Sequence, residues 1–427
     1  MNLFTLSLAY VRTRPLQTTL NLLLLALGMG TIVVLLVFRE QLEERLTRDQ
    51  RGIDLVVGAK GSPIQLILST VYQMDVPTGN ITERDATFVR NHPMVASVIP
   101  MALGDSFHGF RIVGTTPDYV THYGAETVEG RLWEAPLEAV VGATVAREAG
   151  VGPGDTLVGS HGIGSGAGGG MHSHNPYSVV GVLGPTGTVI DRLVLTSVGT
   201  VRLVHEPAGH SADEEDHQAE HDHEAEASGE DSHDAHAHED EQLPDPDAQV
   251  TALLVKYRTP IAAASLPRII NMQSAMQSAA PAYETARLLR MVGIGIDAFR
   301  VFAYLLIVTA ALSMFVALYT ALERRQYDLA IMRTVGAGRG RVLLQILVEG
   351  QILALTGTAL GLVLGHAVAE GLSIWLSRTQ EVPFTGSVWV PQELWLFVVA
   401  FCVGSVAALL PALRAYRLDV ARVLAHG

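Results

Sequence analysis

Residues 16–38 read LQTTLNLLLLALGMGTIVVLLVF, 23 positions without a charged side chain. A helix rises 1.5 Å per residue, so a run of that length covers the ~30 Å of a bilayer's hydrocarbon core. The next comparable run begins only at Val301. Three then follow closely: Val301 to Leu322, Val342 to Gly365, whose one charge is Glu349, and Leu394 to Leu413. The pattern predicts an α-helical membrane protein with four transmembrane helices, at 16–38, 297–322, 342–366 and 394–413. A large extracytoplasmic α+β domain, 39–295, is expected between helices 1 and 2. The first run exceeds the ~7–15 residues of a signal-peptide core and no small-x-small site follows it, so a retained anchor is expected.

Basic residues beside the spans set the orientation, because Lys and Arg near a membrane segment stay cytoplasmic. Arg12 and Arg14 precede span one. Arg324, Arg325, Arg333, Arg339 and Arg341 crowd the segment 323–341, and Arg414, Arg417 and Arg422 lie in the tail 414–427. The N-terminus (1–15), the 323–341 connection and the tail are therefore expected inside, and 39–295 and the short loop 376–393 outside. Arg39, Arg45, Arg48 and Arg51 are interleaved with acids and read as an outer stalk helix.

The formal charge of −14 has a local origin. Residues 206–247 hold 17 Asp or Glu and no Lys or Arg, which leaves 26 acidic against 29 basic residues elsewhere. The one cysteine, Cys402, falls inside span four, so the outer domain must rely on an ordinary core instead of disulfides.

Short β-rich runs recur along 53–130, such as 54–58 and 110–114, separated by Gly, Pro and Asn turns. The runs 139–142, 178–183 and 192–196 continue the pattern, with 143–149 as a short helix. Gln249 to Tyr257 reads as a returning strand, Ala262 to Met276 as a helix, and Pro281 to Ile296 as a second stalk. Two inserts interrupt the domain: a Gly/His loop, 161–174, and an acidic His-rich stretch, 205–247. The second has too few apolar residues to offset its ordering entropy and is expected to be disordered. Its imidazoles and carboxylates suit weak binding of Zn2+, Cu2+ or Ni2+, with His210, His217, His221, His223, His233, His236 and His238 as candidate ligands. The competing reading is a solvated acidic tether. Nothing there has the fixed spacing of a structural zinc site.

Catalytic templates are missing from the sequence. The only lysines, Lys60 and Lys256, end no phosphate-loop pattern, and no nucleophile elbow or His-Glu-x-x-His pair occurs. The chain reads as a non-catalytic subunit that requires no cofactor, and nothing points to nucleic acid. The spans are not built as a pore either, since their ionisable residues are Glu349 and His366. Both are read as structural anchors, Glu349 within reach of the cytoplasmic arginines and His366 solvated by interfacial water. Gly357, Gly361 and Gly365 recur at intervals of four, a ridge on which another helix packs closely, within the chain or in a dimer.

The segment Glu323-Arg-Arg-Gln-Tyr-Asp-Leu-Ala-Ile-Met-Arg-Thr-Val-Gly-Ala337 mixes apolar and charged residues as a surface helix does, then breaks at Gly336. With Glu349 and the glycine-rich span it resembles the C-terminal signature of the MacB/FtsX-type ABC permeases. Pro411-Ala-Leu-Arg-Ala-Tyr-Arg-Leu-Asp419 is similar to that family's closing motif, with Val420 where the family often has Pro. Thr115-x-Pro-Asp-Tyr119, Glu129-Gly-Arg131, Gly154-Asp155 and Val179-Val-Gly-Val182 are similar to its outer core domain.

The resemblance implies a bacterial inner-membrane permease that pairs as a homodimer or heterodimer. It implies a separate cytoplasmic ABC ATPase that binds the ATP, because no nucleotide-binding domain is fused as in MacB itself. Glu323, Arg324, Arg325, Asp328, Arg333 and Gly336 are then the expected coupling residues. Mechanotransmission to the outer domain would export or extract a lipoprotein, peptide, lipid-like or metal-related cargo. Two alternatives stay open: a signalling subunit that switches a periplasmic partner, and a metal-buffering membrane protein acting through the His-rich insert.

Overall fold

A computed structural model describes residues 15–161, 175–205, 249–379 and 384–417. Almost all of the predicted N-terminal segment, the Gly/His loop beyond His161, the acidic insert beyond His205 and the tail beyond Arg417 lie outside those residues, as do the side chains of His161 and Asp328.

In chain order the elements are α1 (Pro15–Asp49), β1 (Leu55–Ala59), α2 (Pro63–Thr70), β2 (Ile81–Thr82), α3 (Glu83–Arg90), β3 (Val95–Phe107), β4 (Phe110–Thr115) and α4 (Pro117–His122). Next come β5 (Thr127–Gly130), β6 (Glu138–Val141), α5 (Ala143–Ala149), β7 (Thr156–Leu157), β8 (Ser160–His161), β9 (Tyr177–Leu183), β10 (Leu193–Ser197) and α6 (Val198–His205). After the acidic stretch follow β11 (Gln249–Val250), β12 (Ala252–Tyr257), α7 (Ala262–Gln273), β13 (Met276–Ala279), α8 (Pro281–Arg324), α9 (Gln326–Thr334), α10 (Arg339–Thr379) and α11 (Leu394–Tyr416). The chain divides into a helical unit, Met1–Arg45 with Leu288–Gly427, and an α/β unit, Leu46–Arg287.

Among the described residues, four helices are long and apolar enough to cross a membrane: those over Pro15–Asp49, Pro281–Arg324, Arg339–Trp375 and Pro391–Tyr416. The charged residues after Phe38 do not end α1, because Arg and Glu are good helix formers and Arg39 stands 4.0 Å from Glu43 one turn on. In lipid, polar groups must find partners inside the protein. Ser313 on α8 donates to Asn21 on α1 at 2.6 Å, and Gln351 on α10 donates to the Phe401 carbonyl and the Ser405 hydroxyl of α11 at 3.0 and 2.8 Å. Trp375, Trp389 and Trp395 are exposed where α10 and α11 approach each other in sequence, as in an interfacial aromatic belt. His366 differs from its expected setting. It is enclosed instead of water-solvated, with Nδ1 2.6 Å from the Gly386 carbonyl and Nε2 3.1 Å from Glu393, itself 2 % exposed.

The α/β unit is built on a mixed sheet ordered β13-β1-β12-β3-β4-β10-β6-β9-β5, with β7 added to β9 and β8 to β3. The pairs β4–β10 and β6–β9 are parallel and the other pairs along the path antiparallel. One core lies among Leu55, Val57, Leu253, Leu266 and Ile270, and a second among Ile112, Val141, Leu157, Tyr177 and Val179. β3 joins the two. It spans 13 residues and carries Pro100 and Gly104, which read as turn signals in the sequence. Pro100 stands in register with Leu253, and the pairing with β4 shifts between Leu103 and Ser106, so the irregularity around Gly104 is a bulge within one strand.

Other local readings change as well. The single strand expected over 249–257 is two, split at Thr251, whose hydroxyl accepts from Leu103 N and donates to Asn80. The helices α2, α3, α4 and α6 interrupt what reads as a series of strands. α3 carried a visible signal, since Thr82 caps Asp85 N at 3.2 Å in a Thr-x-x-Asp pattern.

Candidate functional site

The 323–341 segment folds as helix, break, helix. Arg325 N donates to the carbonyls of Ala321 and Leu322, which closes α8, and the Arg325 carbonyl accepts from Leu329 N to open α9. α9 ends in a Schellman cap: Ala337 N reaches Met332 O at 3.0 Å and Gly336 N reaches Arg333 O at 3.2 Å. Gly336 takes φ +106°, a backbone region that L side chains rarely enter, and this lets the chain reverse into α10.

α9 has two faces. Leu329 and Ala330 are buried, and a cleft beside them is lined by Leu322, Arg325, Gln345, Ile346 and Glu349. Arg325 turns inward, its Nη1 3.5 Å from Glu349 Oε2, with the two side chains 14 % and 10 % exposed. Its position suits holding α9 against α10 more than meeting a partner. On the other side Tyr327, Ile331 and Val335 are exposed at intervals of four, an apolar stripe along the helix. Arg324 is exposed and Arg333 half-buried. Glu323 reaches Arg414 of α11 at 3.7 Å, and Arg414 also sits 4.7 Å from the Tyr319 ring centroid. Sequence reasoning missed Arg414, Gln345 and Tyr319, which are brought to the segment only by helix packing.

Gly357, Gly361 and Gly365 face α1. A Cβ at Gly361 would come 2.8 Å from the Ala26 carbonyl and from Met29 Cβ, and one at Gly365 would come 2.7 Å from Val33 Cβ. Gly30 of α1 meets the ridge in return, since its Cβ would lie 3.0 Å from the Gly361 carbonyl. The ridge therefore packs within the chain, where close backbone approach supplies dispersion contact that lipid tails do not replace.

In the α/β unit, the last turn of α1 and the first of α8 are held by buried polar contacts. The Tyr72 hydroxyl lies 3.2 Å from the Leu46 carbonyl and 2.5 Å from the Thr285 hydroxyl, which donates to Gln50 at 3.0 Å. Tyr123 donates to the Asp49 carbonyl, and the Asp49 carboxylate accepts from Val189 N, both at 2.9 Å. Burial pushes the Tyr72 phenol up to about 12, and burial raises Tyr119 and Tyr123 well above the usual phenol range. Tyr72 and Tyr123 act as neutral hydrogen-bonding pins.

The histidines named in the acidic insert lie outside the described residues. Among the described residues no three His, Cys, Asp or Glu side chains converge as a metal group.

The FtsX-like permease C-terminal family model matches residues 300–420, and the MacB-like periplasmic core domain model matches residues 18–221. The chain is 28% identical over 198 residues to the lipoprotein-releasing system transmembrane protein LolE of Haemophilus influenzae, which covers 41% of this chain and 46% of LolE. The chain thus spans about half the length of that curated relative. Among solved structures, it is similar to the periplasmic region of MacB from Actinobacillus actinomycetemcomitans, at 13% identity and a TM-score of 0.33, covering 57% of this chain and 97% of that one. It is similar also to the extracellular domain of the noncanonic ABC-type transporter YknZ from Gram-positive bacteria, at 12% identity and a TM-score of 0.29, covering 53% and 98%.

Proposed function

The chain belongs to the MacB/FtsX-type family of ABC transporter permeases, and from that premise we propose that it is the membrane subunit of a transporter whose ATPase is a separate cytoplasmic chain. The observation that carries the reading is the two-faced α9. Its inner face is fastened by Leu329, Ala330 and the Arg325–Glu349 pair, while Tyr327, Ile331 and Val335 are left exposed beside Arg324. An apolar stripe flanked by charge is what a helix offers to a groove on a partner. ATP-driven movement of that partner would push α9, and α8 would carry the displacement toward Thr285, where the hydrogen bonds of Tyr72 and Gln50 transmit it to the α/β domain.

In this reading the spans work as levers. Their polar side chains pair with one another, as in Asn21–Ser313 and Gln351–Ser405, which supports packing over a hydrophilic path. Cargo is handled by the α/β domain on the periplasmic side, with both termini cytoplasmic. The LolE relative belongs to a system that releases lipoproteins, so an acylated protein or lipid-like molecule is the favoured cargo class. Two permease chains, alike or different, would complete the complex. The acidic insert would hold Zn2+, Cu2+ or Ni2+ weakly as an accessory.

The test is recovery of an ATPase with the full chain from native membranes in the presence of trapped nucleotide. Tyr327→Ser with Ile331→Ser, or Arg324→Glu, is expected to abolish recovery while membrane insertion persists. An ATPase recovered at wild-type yield with all three changes, or never recovered with the wild type, defeats the assignment.

A further inference from the structure

The segment 384–393, between α10 and α11, lies against three helices of the helical unit. Phe384 is buried, its ring centroid 6.0 Å from that of Phe38 on α1, and its carbonyl accepts from the Ser373 hydroxyl of α10. The Gln41 amide of α1 clasps Thr385, donating to its carbonyl at 2.6 Å and accepting from its N–H at 3.1 Å. Gly386 rests directly on α10: a Cβ there would come 2.4 Å from Glu370 N and 2.5 Å from the His366 carbonyl. Its own N–H donates to the Glu370 carboxylate at 2.7 Å.

His366 and Glu393 stand at the centre of these contacts, their side chains 15 % and 3 % exposed. Nδ1 of His366 is 2.6 Å from the Gly386 carbonyl, and a carbonyl only accepts, so Nδ1 carries a hydrogen. Nε2 then faces Glu393 Oε2 at 3.1 Å, while Oε1 accepts from Val390 N at 3.2 Å. An imidazole protonated at Nδ1 alone presents a lone pair at Nε2, and a carboxylate presents only lone pairs, so the contact needs a hydrogen between the two atoms. Whether that hydrogen rides on nitrogen or on oxygen, the pair holds one titratable proton. Its loss sets two acceptors against each other and leaves the Glu393 charge away from water without a partner at Oε2. Among the described side chains packed here, Glu370 is the other ionisable group, and it also accepts from the Thr385 hydroxyl at 3.2 Å. α1 offers Phe38 and Gln41, and the loop offers Trp389, whose ring centroid is 4.8 Å from that of His366; none of the three titrates.

We infer that the His366–Glu393 pair is a proton-held latch that fastens the 384–393 segment, and through it α1, to α10 and α11. With the proton bound, His366 holds Gly386 and Glu393 together, and Thr385 is presented to Gln41. As pH rises and the proton leaves, ring and carboxylate part, the loop lifts from α10, and the Gln41–Thr385 clasp opens. The freedom of α1 then depends on the pH of the compartment that this end of the bundle faces. Glu370 acts in the opposite sense, because protonation would weaken its hold on Gly386 N. Every contact the latch uses lies within the helical unit, so it does not depend on the ATPase partnership.

The experiment uses the full chain in nanodiscs with Trp133, Trp375 and Trp395 changed to Phe, which leaves Trp389 as its one indole. Trp389 emission is followed from pH ~5 to ~9, which brackets the range in which an imidazole changes charge. In a second sample, spin labels at Glu40→Cys and Val388→Cys, with Cys402→Ser, report the distance from α1 to the loop over the same range. A single one-proton step in emission is expected, together with a longer and broader label distance at the alkaline end. Glu393→Gln supplies an amide hydrogen where the shared proton was, so both readouts should keep their latched values at every pH. His366→Gln should also abolish the step, and Glu370→Gln, which keeps an acceptor oxygen, should leave it in place. If His366→Gln fails to insert, Glu393→Gln decides, since it preserves size and hydrogen bonding. No step in the parent, or a step that survives Glu393→Gln, would make the pair a static packing contact and overturn the inference. A step lost only in Glu370→Gln would assign the titration to that carboxylate and overturn it equally.

Discussion

The Arg325–Glu349 pair gives the sharpest test of how the coupling segment is held. The two charges are 3.5 Å apart and mostly buried. At an effective dielectric of ~20 their Coulomb attraction is about 5 kcal/mol, and desolvation cancels most of that gain when the pair forms. Removing one partner takes that attraction away and leaves the other charge partly buried beside Leu322 and Leu329, at a cost of ~3–5 kcal/mol. Glu349→Gln and Arg325→Met should therefore each destabilise the helical unit by about 3 kcal/mol. The double variant Arg325→Met/Glu349→Leu should return to within ~1 kcal/mol of wild type. The assay is a double-mutant cycle on unfolding in mixed micelles with increasing SDS fraction, read by protection of α9 from proteolysis. A coupling energy of at least ~2 kcal/mol is expected. Additive single effects, with coupling below about 0.5 kcal/mol, would refute the reasoning and make the proximity incidental.

The glycine ridge and the surface of the α/β domain give two more predictions. Gly361→Ala would place a methyl 2.8 Å from the Ala26 carbonyl, so it should cost ~1–3 kcal/mol by prising α1 from α10, whereas Gly371→Ala, with nothing within 4 Å, should be neutral. Equal micelle stability of the two variants would contradict close α1–α10 packing. Glu138 accepts both Arg131 guanidinium nitrogens and the amides of Glu134 and Ala135; Arg131 chiefly, then the Glu134 amide, hold its carboxyl down at about 2. A depressed carboxyl stabilises the fold above its unfolded value of 4.5, and that contribution disappears as pH falls toward about 2. The stability difference between wild type and Glu138→Gln should thus shrink across that window. A difference constant from neutral pH to about 2 would exclude the linkage.

Residue chemistry alone determined the membrane character. The four apolar runs are self-sufficient signals, because the transfer of a 20-residue helix into lipid depends on its own side chains and not on its neighbours. The break at Gly336 was equally local, since only the backbone freedom of glycine ends α9 in that way. The strand runs at 110–114 and 178–183 were legible for the same reason: β-branched residues at short period need no distant information.

Tertiary structure decided what depended on a partner. Pro100 and Gly104 read as turns because their usual meaning is punctuation, yet β12 and β4 pair along both sides of β3 and hold them in one strand. The Gly357–Gly365 ridge announced a close contact, and only packing assigned it to Ala26, Met29, Gly30 and Val33 of α1. His366 lost the water expected for it because Gly386 and Glu393 fold over its ring. Asp105 and His205 carried no shared motif at all. An ion pair is a matter of a few ångströms in space, and a hundred residues of chain leave that distance undetermined until the fold brings β3 and α6 together.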